Sequence, residues 1–572
     1  MLRAIYTMSK CNIDNIFYGG VQMGRSKIWS FLLLMFVALT VVLAACSSDN
    51  SSGDSSEDLT DGDTKKENDE GTKDDAEEKI LVFGRGGDSV TLDPAGATDG
   101  ESFKVTQNVL ETLLNFGEQD TTINEGLATN WEPTEDGLSY TFTLREGVKF
   151  HDGTDFNAEA VVKNFERWAN GSEDIFPYYK SMFGGFAGDE SRVIDSVTAE
   201  GDYTVIFKLT RAQAPFLKNI AMSPFAIASP TAFEAAGDKF GDSPVGTGPF
   251  KFVEWKRNDS ITIEKNEEYW NPEEPKLDKV IFRSIPENSA RLNSLLIGEI
   301  DLADGVNPSD GTTVEAESAL QLFERPSMNV GYLGLTSTRP PFDNQKVRQA
   351  VNHAIDKQTI VDAFFEGRAE VAKNPMPPSI SGYNDDIPGY EYDPEKAKQL
   401  LAEAGFADGF EMELWAMPVP RPYMPDGAKV AEAIQKNLAD VGITANIVSY
   451  EWATYLEKTE NGEADAFLLG WTGDNGDADN FIYVLLDEDN IGSNNYSYYK
   501  NDESHKLLLE AQTEVDEDKR NELYKQAQQI IFEQAPWVPL AHSTPLLAGD
   551  AKITNFLPHP TGSDRLNKVD FK

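Results

Sequence analysis

The sequence predicts an α/β fold. Strand-like and helix-like segments mix from Ile80 to the end of the chain. Residues 411–452 read as one βαβ unit: a strand in EMELWAM, a Pro-rich loop PVPRPYMP, a helix, and a second strand in GITANIVSYEW. With 572 residues, the chain has room for two or more domains with well-filled cores.

The first 46 residues read as a targeting segment. Arg25 and Lys27 form a positive n-region, Ile28 to Ala45 is apolar apart from Ser30 and Thr40, and Leu43-Ala44-Ala45-Cys46 closes the run. Small residues before a cut site mark a signal peptide. A cysteine directly after them resembles a bacterial lipobox, which implies cleavage before Cys46, lipidation of Cys46 and a membrane tether. The run is also just long enough to remain as an uncleaved span, and either reading puts the body outside the cytoplasm. Met23 opens this signal in the ordinary way and is read as the true start.

The two cysteines are Cys11, before that start, and Cys46, so neither a disulfide nor a cysteine-based metal or redox site is expected in the mature protein. Residues 47–79 are rich in Ser, Asp, Glu, Gly and Lys and read as an acidic disordered linker. The balance of 50 basic against 96 acidic residues gives a formal charge of -46. That argues against nucleic acid, whose phosphates need a basic face.

Folded sequence begins with a strand in KILVFGRGG (79–87). YTFTLR (140–145) alternates as a half-buried strand does. KVRQAVNHAIDKQTIVDAFF (346–365) places Val347, Ala350, Val351, Ala354 and Ile355 on one helical face. In the βαβ unit, Asp426 is a candidate helix cap, Val430, Ile434, Leu438 and Val441 form an apolar stripe, and Gly442 stops the helix.

A further strand, Ala466 to Trp471, runs directly into an acidic loop with Asp474, Asp477 and Asp479. A charge at the end of a buried strand is costly unless something pairs with it. Ligands of such sheets bind beyond the carboxyl ends of the strands. Arg421 and Asp474 each follow a strand, so one basic and one acidic loop can face a common crevice. The plainer alternatives are a surface ion pair for Arg421 and a surface or helix-dipole role for Asp474. Tyr423, Trp452 and Trp471 lie beside these positions, as core or as ligand platform.

Catalytic chemistry does not declare itself. The five histidines (151, 353, 505, 542 and 559) are too far apart in sequence to suggest a ligand pair. The carboxylates of the 474–479 loop fall at spacing 1, 4, 6 and not at the 1, 3, 5 of an EF-hand loop. No G-x-S-x-G elbow, H-E-x-x-H or P-loop occurs. His151, beside Asp152 in KFHDG, reads as structural. No metal, no cofactor and no enzymatic activity are expected.

Several stretches resemble the peptide-binding family of extracytoplasmic solute-binding proteins that serve ABC importers. They are LATNWEPTEDGLSYTFTLREGVKFHDGTDFNAEAVVKNFERW (127–168), APFL (214–217), VGTGPF (245–250), NVGYLGL (329–335) and FDNQKVRQAVNHAIDK (342–357). LWAMPVPRPYMP (414–425), VSYEWATYL (448–456), GWTGDNGDADNF (470–481) and AHST (541–544) are similar to the dipeptide carriers of that family. There, the Asp of G-W-x-G-D holds the ligand's α-ammonium group and the Arg of R-P-Y its α-carboxylate; the matching residues are Asp474 and Arg421. The loop reads D-A-D-N-F where D-P-D-N-F is expected. Thr98, in the looser match LDPAGATDG, carries over as a further ligand contact, with Trp452 and Tyr423 beside the anchors. The segment between Trp168 and Val193 departs most from the pattern; it falls in the small subdomain, and no pocket residue is assigned there.

The resemblance implies a two-lobed periplasmic-binding-protein fold of type II, closing about a hinge like a Venus flytrap. The first lobe is expected over 80–284 and 545–572, with a small inserted subdomain, and the second over 285–544. It further implies a lipid-anchored monomer on the extracytoplasmic face, periplasmic if the host has an outer membrane. This carrier would deliver dipeptides to a permease and its ATPase. Oligopeptide, nickel-chelate or haem binding are the alternatives within the family, and a cell-surface peptidase is the alternative outside it.

Overall fold

The computed structural model describes residues 78–572. The signal segment, Cys46 and the linker up to Glu77 lie outside the described residues. Among the described residues, no helix is long and apolar enough to cross a membrane.

The first lobe is built on a seven-stranded sheet. Its opening strand, Ile80–Arg85, buries Leu81 and Phe83 and pairs in parallel with Lys279–Ser284. On its other side it pairs with Leu302–Val306. Leu546–Asp550 then lies antiparallel between Leu302–Val306 and Leu320–Glu324. The boundary expected at residue 285 therefore moves to the end of Glu324. The physical reason is packing: Leu302 and Leu547 share a core with Phe83 and Phe282, and Phe323 packs on it.

The inserted subdomain is a four-stranded antiparallel sheet. In its strand Ser139–Leu144, Tyr140, Phe142 and Leu144 are buried, as the alternation predicts. They pack with Phe165 and Trp168 of the helix Ala158–Ala169, which Asn157 caps by accepting a hydrogen bond from the Ala160 amide.

The second lobe carries a six-stranded sheet. The predicted βαβ unit is present. Phe410–Trp415 and Ile443–Val448 run parallel, with Phe410 opposite Ile443, and the helix Gly427–Asp440 joins them. The Asp426 side chain accepts from the Lys429 amide as its cap, and Val430, Ile434 and Leu438 are fully buried. Gly442, at φ +90°, ends the connection in a conformation that side chains disfavour. The helix expected over 346–365 is two helices, Gln345–Ala354 and Lys357–Phe365. Asp356 explains the break, because its side chain accepts from the Thr359 amide and starts a new helix.

Two short crossings, at 325–328 and 544–545, join the sheets of the two lobes. The Arg325 amide donates to the Pro545 carbonyl at 2.9 Å. Its buried guanidinium forks onto Asp564 of the C-terminal tail, at 2.7 and 2.9 Å. Just beyond, the Asn329 amide group and Ser543 bridge the crossings side by side.

Candidate ligand-binding site

Ala466–Thr472 pairs in parallel with Phe410–Trp415, Leu414 opposite Ala466. Their carboxyl ends therefore leave the same edge of the sheet, and the loops bearing Asp474 and Arg421 both start there.

The three carboxylates of the acidic loop have different fates. Asp477 is paired inside the protein: Arg520 donates to both its oxygens, at 2.8 and 2.6 Å, and Lys218 lies 3.8 Å away. Burial acts to raise the Asp477 carboxyl, but Arg520 and Lys218 outweigh it and hold the group at about 2. Asp479 is pushed up to about 7, by burial and then by the neighbouring Asp477 charge. It accepts only weak bonds from Gln512 and the Tyr524 hydroxyl, at 3.3 and 3.4 Å.

Asp474 is left without a cation. Half-buried, it accepts from the Asn480 side-chain amide at 3.0 Å and the Tyr178 hydroxyl at 3.2 Å. Asn480 Oδ1 in turn accepts from the Asp474 backbone amide at 2.9 Å and the Trp471 indole at 3.0 Å, so one buried amide fixes both loop and strand end. Among the described residues, no Lys, Arg or His nitrogen lies within 4.0 Å of the Asp474 carboxylate. Burial pushes this carboxyl up to about 6, against the pull of its two hydrogen bonds. A desolvated carboxylate with donors on each oxygen but no counter-charge is suited to an incoming cation.

Arg421 is exposed, in a tight turn closed by its own amide and carbonyl against Met424 at 3.0 and 2.9 Å. Its guanidinium carbon lies 5.0 Å from the ring centroid of Trp452. Trp452 is half-buried and stacks on Tyr455, centroids 5.8 Å apart. A stacked guanidinium keeps its edge free for a carboxylate. Tyr423 is buried across the strand pair Gly331–Gly470; a Cβ on Gly470 would stand 2.2 Å from its ring. That placement makes Tyr423 a packing residue holding the turn. The Ser543 hydroxyl fastens the same turn to the hinge by donating to the Pro422 carbonyl at 2.7 Å.

A cavity of about 370 Å³ opens beside Asp474, lined among others by Tyr178, Phe103, Trp270, His559 and Arg565. Arg421, Tyr423, Trp452 and the exposed Thr98 are not part of its wall. The structure thus brings Arg421 to Trp452 and sets Asp474 at the cavity, without joining all five predicted residues in one chamber.

Sequence reasoning missed the first lobe's share. Tyr178 comes from the helix Pro177–Phe183, inside the divergent segment where no pocket residue was assigned. Lys218 and Asn219 directly follow APFL: Lys218 donates to the Gly476 carbonyl at 2.7 Å, and Asn219 accepts from the Asn475 side chain at 2.8 Å. The position of APFL before these contacts was the available signal. Among the described residues, Asp487, Asp489 and His505 place possible ligand atoms within 4.8 Å of one another. His505 Nδ1 is bonded to Asp487 there, at 3.0 Å. His151 is structural, its Nε2 bonded to the Gly248 carbonyl at 2.9 Å within VGTGPF.

Residues 122–493 match the family described as bacterial extracellular solute-binding proteins, family 5 Middle. Heme-binding protein A of Haemophilus influenzae is 38% identical over 550 residues, covering 93% of this chain and 97% of that one. The dipeptide-binding protein of Escherichia coli is 38% identical over 512 residues, covering 86% and 95%. The dipeptide binding protein from Pseudoalteromonas sp. SM9913, solved in complex with Met-Leu, superposes with a TM-score of 0.78 at 31% identity, covering 86% of this chain and 100% of that one. The ABC transporter-associated periplasmic binding protein DppA of Helicobacter pylori, in complex with peptide STSA, gives a TM-score of 0.77 at 36% identity, covering 86% and 98%. With the sheets of its two lobes joined by paired crossings, the chain belongs to family 5 of the bacterial extracellular solute-binding proteins, the capture components of ABC importers.

Proposed function

We propose that this protein captures dipeptides by their charged ends and delivers them to a membrane permease driven by a cytoplasmic ATPase. Asp474 takes the α-ammonium group and Arg421 the α-carboxylate. The observation that carries this reading is the Asp474 carboxylate: desolvated, held by Tyr178 and Asn480, and without a protein cation. A free dipeptide separates its end charges by roughly 6–7 Å, at about 3.5 Å per residue, so two fixed anchors act as a length ruler. Backbone and termini are common to all dipeptides, which suits a carrier of broad sequence tolerance.

Thr98 and Trp452 are further contacts in this reading, Trp452 by orienting Arg421. Closure of the first lobe brings Tyr178 onto Asp474 and excludes water, which strengthens both anchors. Lipidation of Cys46 tethers a monomer to the outer face of the membrane, and the tether raises its effective concentration at the permease. The protein binds and releases its ligand without chemistry.

Calorimetric titration tests the reading, with Ala-Phe, its N-acetyl form, its C-terminal amide and a tetrapeptide. Tight binding of the free dipeptide alone is expected. Equal binding of all four would overturn the reading, and mass-spectrometric release of free amino acids would reassign the protein as a peptidase.

The similarity to heme-binding protein A supports a second reading, in which haem is the ligand. His559 lines the cavity, but its Nδ1 is bonded to Thr561 and its Nε2 to the Asp120 carbonyl, at 2.7 and 3.0 Å. A Soret band with an axial-histidine signature on haem addition would favour this second reading.

A further inference from the structure

Arg565 is a further charged residue on the wall of the cavity beside Asp474. Arg565 lies in the C-terminal tail, between the Asp564 that holds Arg325 and the buried Leu566. Its side chain is accessible, yet burial within the lobe is strong enough to lower its pKa. Among the described residues its side chain has one hydrogen-bond partner, Asn115, which accepts from Nη2 at 2.8 Å. Among the described residues, no carboxylate oxygen lies within 4.0 Å of the guanidinium.

Three acids face Arg565, and each is engaged elsewhere. Glu111 accepts from Thr247, Tyr269 and Trp270, at 2.7, 2.8 and 3.1 Å. Glu118 is held by Lys568, and Glu274 by the Asn567 side chain. Lys568 is the other cation on this wall and is spent on Glu118. Arg565 therefore keeps most of its five donors unused, facing a chamber that also contains Asp474.

We propose that Arg565 is a third ligand anchor, which reads a carboxylate on the side chain of the ligand's first residue. The inference rests on the dipeptide reading. If Asp474 holds the α-ammonium group, the cavity beside it belongs to the side chain on the same carbon. The planar fork of Arg565 matches a carboxylate, and a cationic side chain would meet its charge instead. The site then prefers peptides that begin with Glu or Asp.

Titration calorimetry of the protein with Glu-Ala, Gln-Ala, Lys-Ala and Ala-Ala tests this. Glu-Ala is expected to bind roughly ten-fold or more tightly than its isostere Gln-Ala, the usual gain of a charge-assisted pair over a neutral one. Arg565→Gln is expected to abolish that ratio, and Arg565→Lys to retain only part of it. Equal binding of Glu-Ala and Gln-Ala to the unaltered protein, or a preference for Lys-Ala, overturns the proposal while leaving the dipeptide reading intact. Failure of all four to bind overturns both. Because the first comparison uses the unaltered protein, a folding defect in either variant does not remove the test.

Discussion

Asp474→Asn should separate two quantities that usually move together, stability and affinity. In the folded protein the Asp474 carboxyl is raised from 3.8 to about 6 by burial. A raised carboxyl binds more protons in the folded than in the unfolded chain, so its stability contribution is full below about pH 4 and is lost as pH rises through 6. At 1.36 kcal/mol per unit, the shift corresponds to at most about 3 kcal/mol, less what the partly open cavity screens. Asparagine keeps the shape and the bond to Asn480 and carries no charge to desolvate. The ligand-free variant should therefore gain up to about 3 kcal/mol over the unaltered protein at pH 8 and nothing at pH 4. Its affinity for Ala-Phe should fall by roughly 2–5 kcal/mol, because the ammonium loses its counter-charge. In the unaltered protein, affinity should decline about ten-fold per pH unit below 6, as protonation removes the anchor. Urea unfolding and calorimetry at pH 4 to 8 measure both. Affinity flat from pH 5 to 8, or a variant no more stable at pH 8, would refute the reasoning.

Three further perturbations follow from the same loop and its neighbours. Arg421→Ala should weaken Ala-Phe by roughly 2–5 kcal/mol and leave the already weak C-terminal amide unchanged, as calorimetry would report. Arg520→Met strands the buried Asp477 carboxylate and should cost about 3–5 kcal/mol of stability at neutral pH, read from urea unfolding. Gly476→Ala adds a Cβ 1.8 Å from the Thr121 hydroxyl at a residue with φ +64°, so it should hold the lobes apart, visible as a larger radius of gyration with ligand by small-angle scattering.

Local patterns made the second lobe legible. The alternation of Val430, Ile434 and Leu438, with Asp426 before them, fixes a helix because cap and stripe agree. The apolar run ending at Trp471, just before Asp474, marked the loop, because a carboxylate beyond a buried strand demands an explanation. Less visible was whatever depends on residues distant in sequence. The 346–365 helix carries one continuous apolar face, and the side chain of Asp356 alone decides that it breaks. The lobe boundary was misplaced because Leu302–Val306 and Leu320–Glu324 look like any strands; only their partner, Leu546–Asp550, assigns them to the first sheet. Tyr178 reaches Asp474 across 296 residues of chain, and no local pattern signals such a contact.

The position of Leu546–Asp550 also sets an order of assembly. It lies inside the first sheet, between Leu302–Val306 and Leu320–Glu324, rather than at its edge. All six strands of the second sheet fall between Asn329 and Ser543, one uninterrupted stretch. Because a chain is made amino end first, the later-encoded lobe holds every strand it needs before the earlier one does. The first lobe's sheet stays divided until Leu546–Asp550 has been made. The strand that completes it then arrives already attached to a finished neighbour.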